Sequence, residues 1–402
     1  MTTTDLGVGL PVLHDDPFGA DIICDPYDFY DRLRDAGPVV ELARYGVLAV
    51  GRYADISAVL SDPVGFCSSR GVGIRDLDHE EPWRQPSLLV EADPPDHSRA
   101  RRLMTRVVAK PVVDGLRASF TAYAEQLVTE ALQLRTFDAV ELFATRFPLT
   151  VFPDAVGITG EGREAVLPYA NHVFNAFGPR NQILLDGEAD LARTSAWVDA
   201  HCRREMLAPD GLGAAIWASV DTGDLEPDEA FRLTRTLLSA GVDTTVVALG
   251  NALQCLATHP DQWALLRAEP GLARQAFDEC MRFESPVQKF FRTTTAPREI
   301  AGIPVEEGRK VLCVLASGNR DPRKWSGTAG VLDITRRPAG HLSFGNGVHA
   351  CLGQQIARLE GECLLAALAA RVATLTPTAP AVPHLNNALK GWDSVPVSVT
   401  PA

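Results

Sequence analysis

The chain has 402 residues, 46% of them hydrophobic and 22% charged, a composition typical of a globular protein with a large core. Its net charge of −13 argues against nucleic acid or an anionic membrane as partner. Eight cysteines without paired spacing argue against a disulfide framework or a zinc site and favour the cytoplasm. We predict one domain over residues 1–402, and Met1–Gly9 lacks the pattern of a secretory signal.

The predicted elements are mostly helices, with strands near both ends of the chain. Asp25-Pro26 indicates a helix start, because a capping residue precedes a proline at the first helical position. Helical patterns dominate from Ser98 to Phe283. The remaining predicted elements are four strands and a last apolar helix, at Val39–Leu42, Val47–Val50, Arg298–Val305, Lys310–Val314 and Gln354–Leu375. We therefore predict a mainly α fold with a minor β-sheet region.

An arginine-rich helix is predicted from His97 onward. No acidic residue occurs between His97 and Lys110, although the chain as a whole is acidic. His97 and Arg101 are four residues apart and therefore share one helix face, which fits an anionic group. The opposite face fits an acidic protein partner, because it carries Arg99, Arg102 and Arg106.

The longest apolar stretch, Leu237–Ala257, is predicted as a buried helix, because a membrane span would tolerate Asp243 badly. Its segment AGVDTT, residues 240–245, contains glycine and threonine, which are poor helix formers. Small residues followed by a carboxylate and a hydroxyl fit a helix that passes close over a flat cofactor. Asp243 and Thr244 are therefore the candidate catalytic residues.

A glycine-rich turn surrounds Cys351, in the segment FGNGVHACLG at residues 344–353. A metal-ligating thiolate needs a tight loop whose backbone N–H groups approach the sulfur, and glycines supply the unusual dihedral angles. An apolar helix begins just after the segment, and its N-terminus favours negative charge at the same place. Cys351 is therefore the candidate metal ligand.

This segment resembles the haem-ligand loop of the cytochrome P450 superfamily, since its phenylalanine, glycines, basic residue and cysteine fall at that family's positions. The resemblance implies the cytochrome P450 fold and haem b, with Cys351 as axial ligand and Phe344 and Gly345 beside it. Residues implied to bind the haem propionates are His97, Arg101, Arg292 and His349.

The resemblance also covers Glu279 and Arg282, which are three residues apart on a predicted helix and can pair on one face. In the family this is a buried structural pair. The resemblance implies a further partner from Asn319–Trp325, and we expect the group to support the haem-binding core without taking part in the chemistry.

By the same resemblance, Gly241 leaves room for dioxygen, Thr244 hydrogen-bonds it and Asp243 relays protons to it. Peroxide-using relatives typically lack this acid–alcohol pair, so dioxygen and two electrons are implied. The sequence contains no flavin-binding or nicotinamide-binding domain. The implied donors are therefore NAD(P)H, a ferredoxin reductase and a 2Fe-2S-type ferredoxin, which would dock at Arg99, Arg102 and Arg106.

A narrower resemblance concerns the substrate. Pro82–Val90, Pro168–Pro179 and Glu284–Thr295 are similar to bacterial monooxygenases that oxidise para-substituted benzoates, such as the O-demethylation of 4-methoxybenzoate to 4-hydroxybenzoate. A benzoate needs a cationic or hydroxyl-rich anchor in an otherwise apolar pocket. The candidate anchors are Arg84, Ser87, Thr236 and Ser239, and the candidate apolar walls are Val90, Phe174, Phe177, Val287 and Phe290.

Other functions stay open at this point. The substrate is alternatively another small aromatic acid, or the enzyme is driven by peroxide. A haem-thiolate sensor is the non-enzymatic alternative, although a sensor needs neither the acid–alcohol pair nor an arginine-rich face. A helical protein without a cofactor would show no haem absorption.

Overall fold

The computed structural model describes residues 9–402. The prediction that the chain lacks a secretory signal concerns Met1–Gly9, so apart from its final residue it lies outside the described residues.

Helices form most of the described chain, as predicted. They are α1 Ala20–Cys24, α2 Tyr27–Ala36, α3 Tyr53–Ser61, α4 Asp96–Val107, α5 Lys110–Gly115, α6 Arg117–Leu134, α7 Arg146–Val156, α8 Val166–Asn175, α9 Gln182–Glu188, α10 Leu191–His201, α11 Leu212–Asp221, α12 Pro227–Thr258, α13 Pro260–Ala268, α14 Ala273–Glu284, α15 Leu315–Asn319, α16 Pro322–Trp325 and α17 Gln354–Arg371.

The strands lie mainly near the two ends of the chain. They are β1 Val12–Leu13, β2 Val40–Leu42, β3 Val47–Val50, β4 Phe66–Cys67, β5 Thr136–Asp138, β6 Phe290–Thr294, β7 Arg298–Ile300, β8 Ile303–Val305, β9 Lys310–Cys313, β10 Val372–Pro377, β11 Val382–His384, β12 Gly391–Ser394 and β13 Pro396–Pro401.

One mixed sheet joins the early strands to the later ones. Its order is β1-β2-β3-β9-β6-β4, and β3 and β9 pair in parallel while β9 and β6 pair antiparallel. The register of β6 against β9 sets Phe290 opposite Cys313 and Arg292 opposite Val311. The smaller sheets are β10-β13-β5, the hairpin β11-β12 and the hairpin β7-β8. The mixed sheet thereby carries Phe290 and Arg292 toward the helical core.

Helix α12 is the centre of the helical core. Pro227 begins it, and Glu226 and Glu229 close a capping box that satisfies its first backbone N–H groups. It packs against α7, α8, α11, α14 and β12. The helix is long and apolar enough to cross a membrane, but 78% of its most apolar window is buried within the fold. This burial fits the core helix that the sequence predicted.

Two predicted boundaries are wrong. The last apolar helix ends at Arg371 and not at Leu375, because Val372–Pro377 pairs with β13 as a strand. The early helix begins at Tyr27, and Pro26 takes the capping position that was predicted for Asp25. Arg298–Val305, predicted as one strand segment, is a hairpin of two short strands.

Candidate active site

The Cys351 turn is fixed by backbone contacts that require glycine. Gly345 and Gly347 have φ values of 70° and 71°, in the left-handed region that favours glycine. A Cβ on Gly347 would lie 2.3 Å from the carbonyl oxygen of Leu60, so no side chain fits there. The Cys351 N–H donates to the carbonyl oxygen of Phe344 at 2.7 Å and closes the turn just before α17.

The environment of the Cys351 thiol combines burial with hydrogen-bond donors. Burial raises its pKa, while the backbone N–H groups of Gly353 and Gln354 and the charges of Arg101 and Arg358 act to lower it. These donors and cations stabilise a thiolate, the form that ligates a metal. Cys363 differs: it lies within α17, and its sulfur is 3.5 Å from the Thr121 hydroxyl.

The four predicted propionate ligands lie in one cluster, in which the two arginines carry the positive charge. The rings of His97 and His349 lie 4.2 Å apart, and burial, with smaller effects from the charges of Arg292 and His97, lowers the pKa of His349 to about 4. Both ring nitrogens of His97 are buried without a hydrogen-bond partner. Among residues 9–402, neither Arg101 nor Arg292 has a carboxylate within 4.0 Å. Buried cations and orphaned donors fit an anionic group such as a haem propionate.

His349 has partners of its own. Its Nδ1 lies 3.1 Å from the carbonyl oxygen of Leu89, and its Nε2 lies 3.2 Å from the Ser68 hydroxyl. The Arg292 guanidinium donates to the carbonyl oxygen of Phe291 at 2.8 Å. Burial lowers the pKa of Arg292, as expected for a cation that lacks a counter-ion.

The middle of α12 has one accessible stripe. Thr236, Ala240 and Thr244 are four residues apart and stay accessible, while most of the surrounding helix is buried. The Thr244 hydroxyl donates to the carbonyl oxygen of Ala240 at 2.7 Å. The prediction that Gly241 leaves room for dioxygen does not fit the packing of α12, because the position of a Cβ on Gly241 lies 2.3 Å from the Phe152 ring. Gly241 instead allows α7 to approach α12.

Asp243 lies beside this stripe and is only 3% exposed. Its Oδ2 has no hydrogen-bond partner among the described residues. Burial raises its pKa to about 7, and the charge of His384 opposes the rise. A carboxyl group that titrates near neutrality is suited to accept and release protons.

The predicted pair of Glu279 and Arg282 is fully buried. The guanidinium donates two bonds of 2.8 Å to the carboxylate and further bonds to the carbonyl oxygens of Asn319 and Ala329. Asn319 thus belongs to the segment predicted to supply a partner. The second charged partner is Arg336, at 3.1 Å from Glu279, which sequence reasoning missed because it lies outside that segment.

The predicted anchor residues meet between α12 and the loop before α4. The Thr236 hydroxyl donates to the Ser87 Oγ at 3.1 Å, and the backbone N–H groups of Leu89 and Val90 lie 3.2 and 3.3 Å from that oxygen. The Ser87 oxygen therefore accepts bonds, and its own hydrogen stays available to a ligand. Ser239 has no such hydrogen, since its hydroxyl donates to the carbonyl oxygen of Arg235 at 2.9 Å.

Arg84 already has a counter-ion. Its guanidinium lies 3.2 Å from the carboxylate of Glu91 and stacks 5.6 Å from the Trp83 ring. The same Glu91 carboxylate accepts from the Ser87 N–H at 2.8 Å. Sequence reasoning missed Glu91, because nothing in the pattern distinguishes it from a surface acid.

The predicted apolar walls lie together. The rings of Phe174 and Phe177 are 5.7 Å apart, and Phe177 and Phe290 are also 5.7 Å apart. Val90 and Val287 are half-buried and pack against the same core. Phe290 reaches the cluster from β6, and the other two rings come from α8 and the residues just after it, so two distant segments meet at one surface.

The arginine-rich face of α4 divides differently from the prediction. Arg99 is bound to Glu229 and to the carbonyl oxygen of Asp224, so it fastens α4 to the start of α12. Arg102 and Arg106 are exposed and have no ion-pair partner among the described residues. Arg101, on the buried side, acts on Cys351 through its charge.

Comparison with known proteins places the chain in one family. A family model described as "Cytochrome P450" matches residues 209–371. The chain is 50% identical over its full length to cytochrome P450 CYP199A2 of Rhodopseudomonas palustris, 97% of which is covered. It is 31% identical over 86% of its length to a vitamin D(3) 25-hydroxylase of Pseudonocardia autotrophica, 85% of which is covered.

Solved structures agree with these relatives. The structure of cytochrome P450 CYP109Q5 from Chondromyces apiculatus matches 98% of this chain and 100% of its own, with a TM-score of 0.82 and 28% identity. The mainly α fold with minor sheets is therefore confirmed.

Proposed function

The chain belongs to the cytochrome P450 family of monooxygenases, and from this premise we propose that it oxidises para-substituted benzoates, with O-demethylation of 4-methoxybenzoate as the reaction. Family membership implies a thiolate-ligated haem. We assign its ligand to Cys351 and its propionates to His97, Arg101, Arg292 and His349. The proposed location is the cytoplasm.

The choice of Cys351 among eight cysteines rests on its surroundings. A ligand must be reached by a flat cofactor and stabilised as a thiolate. Cys351 lies in a turn at the start of α17 with two N–H groups near its sulfur and Arg101 close by. Cys363 lies in the interior of the same helix, where burial raises its pKa.

The observation that carries the substrate proposal is the Ser87–Thr236 contact beside the phenylalanine cluster. Ser87 is 2% exposed and its oxygen accepts three bonds, which leaves one hydroxyl hydrogen to donate to a carboxylate. Phe174, Phe177 and Phe290 supply an edge-to-face aromatic wall for the ring. An anionic end and an aromatic body match a benzoate.

The ion pair between Arg84 and Glu91 limits how Arg84 can contribute to this anchor. The guanidinium contributes positive charge, but an entering carboxylate has to compete with Glu91 for it. We propose that Ser87 makes the direct bond and that Arg84 acts mainly through its charge. The anchor then fixes one end of the ring, and the para substituent points toward the stripe of Ala240 and Thr244 on α12.

The chain's own residues would transfer protons and position the substrate. Bound thiolate-ligated haem activates dioxygen with two electrons and inserts one oxygen atom into a substrate C–H bond. Asp243 holds a proton at its buried carboxyl group and releases it toward the accessible stripe, where the Thr244 hydroxyl receives it. Hydroxylation of a methoxy carbon gives a hemiacetal, which breaks down to 4-hydroxybenzoate and formaldehyde.

The electrons would come from NAD(P)H through a ferredoxin reductase and a 2Fe-2S-type ferredoxin. We propose that the ferredoxin docks on the exposed arginines of α4, Arg102 and Arg106, because an acidic partner needs a local positive surface on a chain of net charge −13. Arg101, on the buried side of the same helix, acts on Cys351 through its charge, so α4 extends from the exposed arginines to the surroundings of the proposed haem ligand.

Titration of the purified haem protein with 4-methoxybenzoate tests the substrate. We expect a shift of the haem spectrum from low to high spin, as the ligand displaces water, and formaldehyde as product when a ferredoxin system is added. The methyl ester of the same acid is the matched control, because it lacks the charge. Absence of any spectral change with a panel of para-substituted benzoates would refute the proposal.

A further inference from the structure

Glu91 lies at the proposed anchor, although the proposed reaction gives it no chemical step. Its carboxylate oxygen Oε2 is 3.2 Å from the Arg84 guanidinium, and the two side chains are only 11% and 12% exposed. Charges at this depth interact more strongly than surface charges and are screened less by salt. The Glu91 charge therefore acts on any ion that enters the anchor.

Glu91 also fixes the backbone of Ser87. The Ser87 N–H donates to the same Oε2 at 2.8 Å, and the Glu91 N–H donates to the Ser87 carbonyl oxygen at 3.0 Å. These two bonds close a ring around Ser87, whose side-chain oxygen accepts three further bonds. The hydroxyl hydrogen is thus the one donor that Ser87 has left for a ligand.

The Arg84 guanidinium is held within its own loop. The nitrogen that contacts Glu91, Nη1, also donates to the carbonyl oxygen of Gln85 at 3.0 Å, and the guanidinium stacks 5.6 Å from the Trp83 ring. Trp83 in turn meets the His172 ring of α8 edge-on at 4.9 Å. Arg84 therefore keeps Glu91 as its neighbour unless it also gives up these contacts, and an entering anion meets the two charges together.

The other two arginines at this loop have carboxylate partners of their own. Arg232 and Arg235 of α12 both donate to backbone carbonyl oxygens of the loop. Arg232 lies 2.9 Å from Asp228, and Arg235 lies 4.0 Å from Asp199. Three arginines are thus matched by three carboxylates, and a ligand finds no unpaired cation among them.

We propose that Glu91 restricts the anchor to ligands that carry one negative charge, and this proposal rests on the proposed oxidation of benzoates. One carboxylate shares the Arg84 charge with Glu91 and accepts the free Ser87 hydrogen. A second negative charge finds no further donor on Ser87 and lies beside the Glu91 carboxylate, which repels it. A repulsive charge built into a site is an effective source of specificity.

The same residue weakens the binding of the product. The proposed demethylation changes only the para end of the ring, so 4-hydroxybenzoate keeps the carboxylate that the anchor binds. Because Glu91 competes with this carboxylate for Arg84, it lowers the affinity for substrate and product alike. Glu91 thus favours release after each turnover, and it does so without touching the reacting atoms.

The test measures how Glu91→Gln changes the affinity for three para-methoxy ligands of different charge. Glutamine keeps a carbonyl oxygen for the Ser87 N–H but removes the negative charge. The ligands are 4-methoxybenzamide, 4-methoxybenzoate and 4-methoxyphenylphosphonate, which are neutral, singly charged and doubly charged at about pH 8. Spectral titration of the haem proteins gives each Kd, and competition against 4-methoxybenzoate gives it for a ligand that causes no spectral shift.

We expect the effect of Glu91→Gln to grow with the charge of the ligand. The Kd for the amide should change less than about twofold, the Kd for the benzoate should fall about tenfold, and the Kd for the phosphonate should fall further still. The Kd for 4-hydroxybenzoate should fall by the same factor as that for the substrate, because both carry the same carboxylate.

Two further variants separate the charge of Glu91 from its structural role. Glu91→Asp keeps the charge and should retain the wild-type order of affinities. Glu130→Gln removes one negative charge from an ion pair with Arg146, 2.7 Å apart and more than a third exposed, and it should leave all Kd values unchanged.

The outcomes distinguish this proposal from the proposed function. If the wild type binds 4-methoxybenzoate but Glu91→Gln shifts the Kd of all three ligands by one common factor, or shifts none, Glu91 does not select by charge. The same conclusion follows if Glu91→Asp behaves like Glu91→Gln. If the wild type binds no para-substituted benzoate, the proposed function fails instead.

Discussion

At the scale of single residues, Cys351 and Cys363 offer a direct comparison. Cys351 lies just before the start of α17, and Cys363 lies in the interior of the same helix. We expect Cys351→His to abolish the thiolate-type absorption band of the reduced carbon monoxide complex, because nitrogen would replace sulfur as the ligand. Cys363→Ala should keep the band. Retention of the band in Cys351→His would show that another cysteine is the ligand.

Asp243 gives a prediction on stability. Burial raises its pKa from the ordinary value of 3.8 to about 7, so the folded state binds a proton more tightly than the unfolded state. The wild type therefore loses stability as pH rises through this interval, and the loss is complete above about pH 7.

Asp243→Asn removes that titration. Relative to the wild type, the variant should gain on the order of 3–4 kcal/mol in free energy of unfolding at about pH 8 and almost nothing near pH 4. Chemical denaturation at both pH values measures it. An equal effect at both would show that Asp243 does not titrate in this range.

At this scale the candidate residues could be identified from sequence, but the residues that contact them could not. Cys351, Asp243 and Thr244 stand in segments whose composition is unusual enough to identify them. Glu91 and Arg336 do not, because each is an ordinary residue whose importance depends on which other segment it contacts. Such contacts are set by tertiary packing, which no local pattern reports.

At the scale of elements, α12 and the loop before α4 together form the proposed anchor. Ser87→Ala removes the free hydroxyl hydrogen, and loss of one bond to a charged group costs about 1.5–3 kcal/mol. The Kd for 4-methoxybenzoate should therefore rise about tenfold or more in spectral titrations.

Ser239→Ala, on α12, is the matched control for Ser87→Ala. Its hydroxyl hydrogen is donated to the carbonyl oxygen of Arg235, so its removal should change the Kd less than about twofold. If Ser239→Ala weakens binding as much as Ser87→Ala does, the carboxylate lies deeper along α12 than we propose.

Element types were predicted well and their ends less so. The long apolar stretch within α12 predicted a buried helix, and the structure has one there. The end of α17 at Arg371 depends on pairing between Val372–Pro377 and β13, whose residues are far away in sequence. Arg102 and Arg106 are exposed on α4, and their role as a docking face stays a prediction, whereas Arg99 pairs with Glu229 on another helix.

At the scale of the whole molecule, Arg102 and Arg106 form the proposed docking patch on a chain of net charge −13. Arg102→Glu and Arg106→Glu should slow reduction by ferredoxin about tenfold at low ionic strength, because electrostatic steering is reversed there. The difference should shrink as salt is added. Stopped-flow reduction measures both, and dithionite reduction should be unaffected in either variant.

That the described helices and sheets form one domain stays a prediction. The relatives support the fold over nearly the whole chain, since CYP109Q5 covers 98% of it at a TM-score of 0.82. The order of strands in the mixed sheet could not be predicted, because β9 pairs with β3 across more than 200 residues of intervening chain, and no local pattern encodes such a pairing.

The hairpin β11-β12 has a consequence for biosynthesis. The ribosome makes Cys351 and Gly391 long after Arg84, Ser87 and His97, so the site is complete only when roughly the last seventh of the described chain has been made. Until that segment emerges, α12 presents an uncovered apolar flank where Val247 will meet Gly391. Capture of porphyrin by the growing polypeptide is therefore a late event, and a nascent chain stalled before Cys351 should hold none.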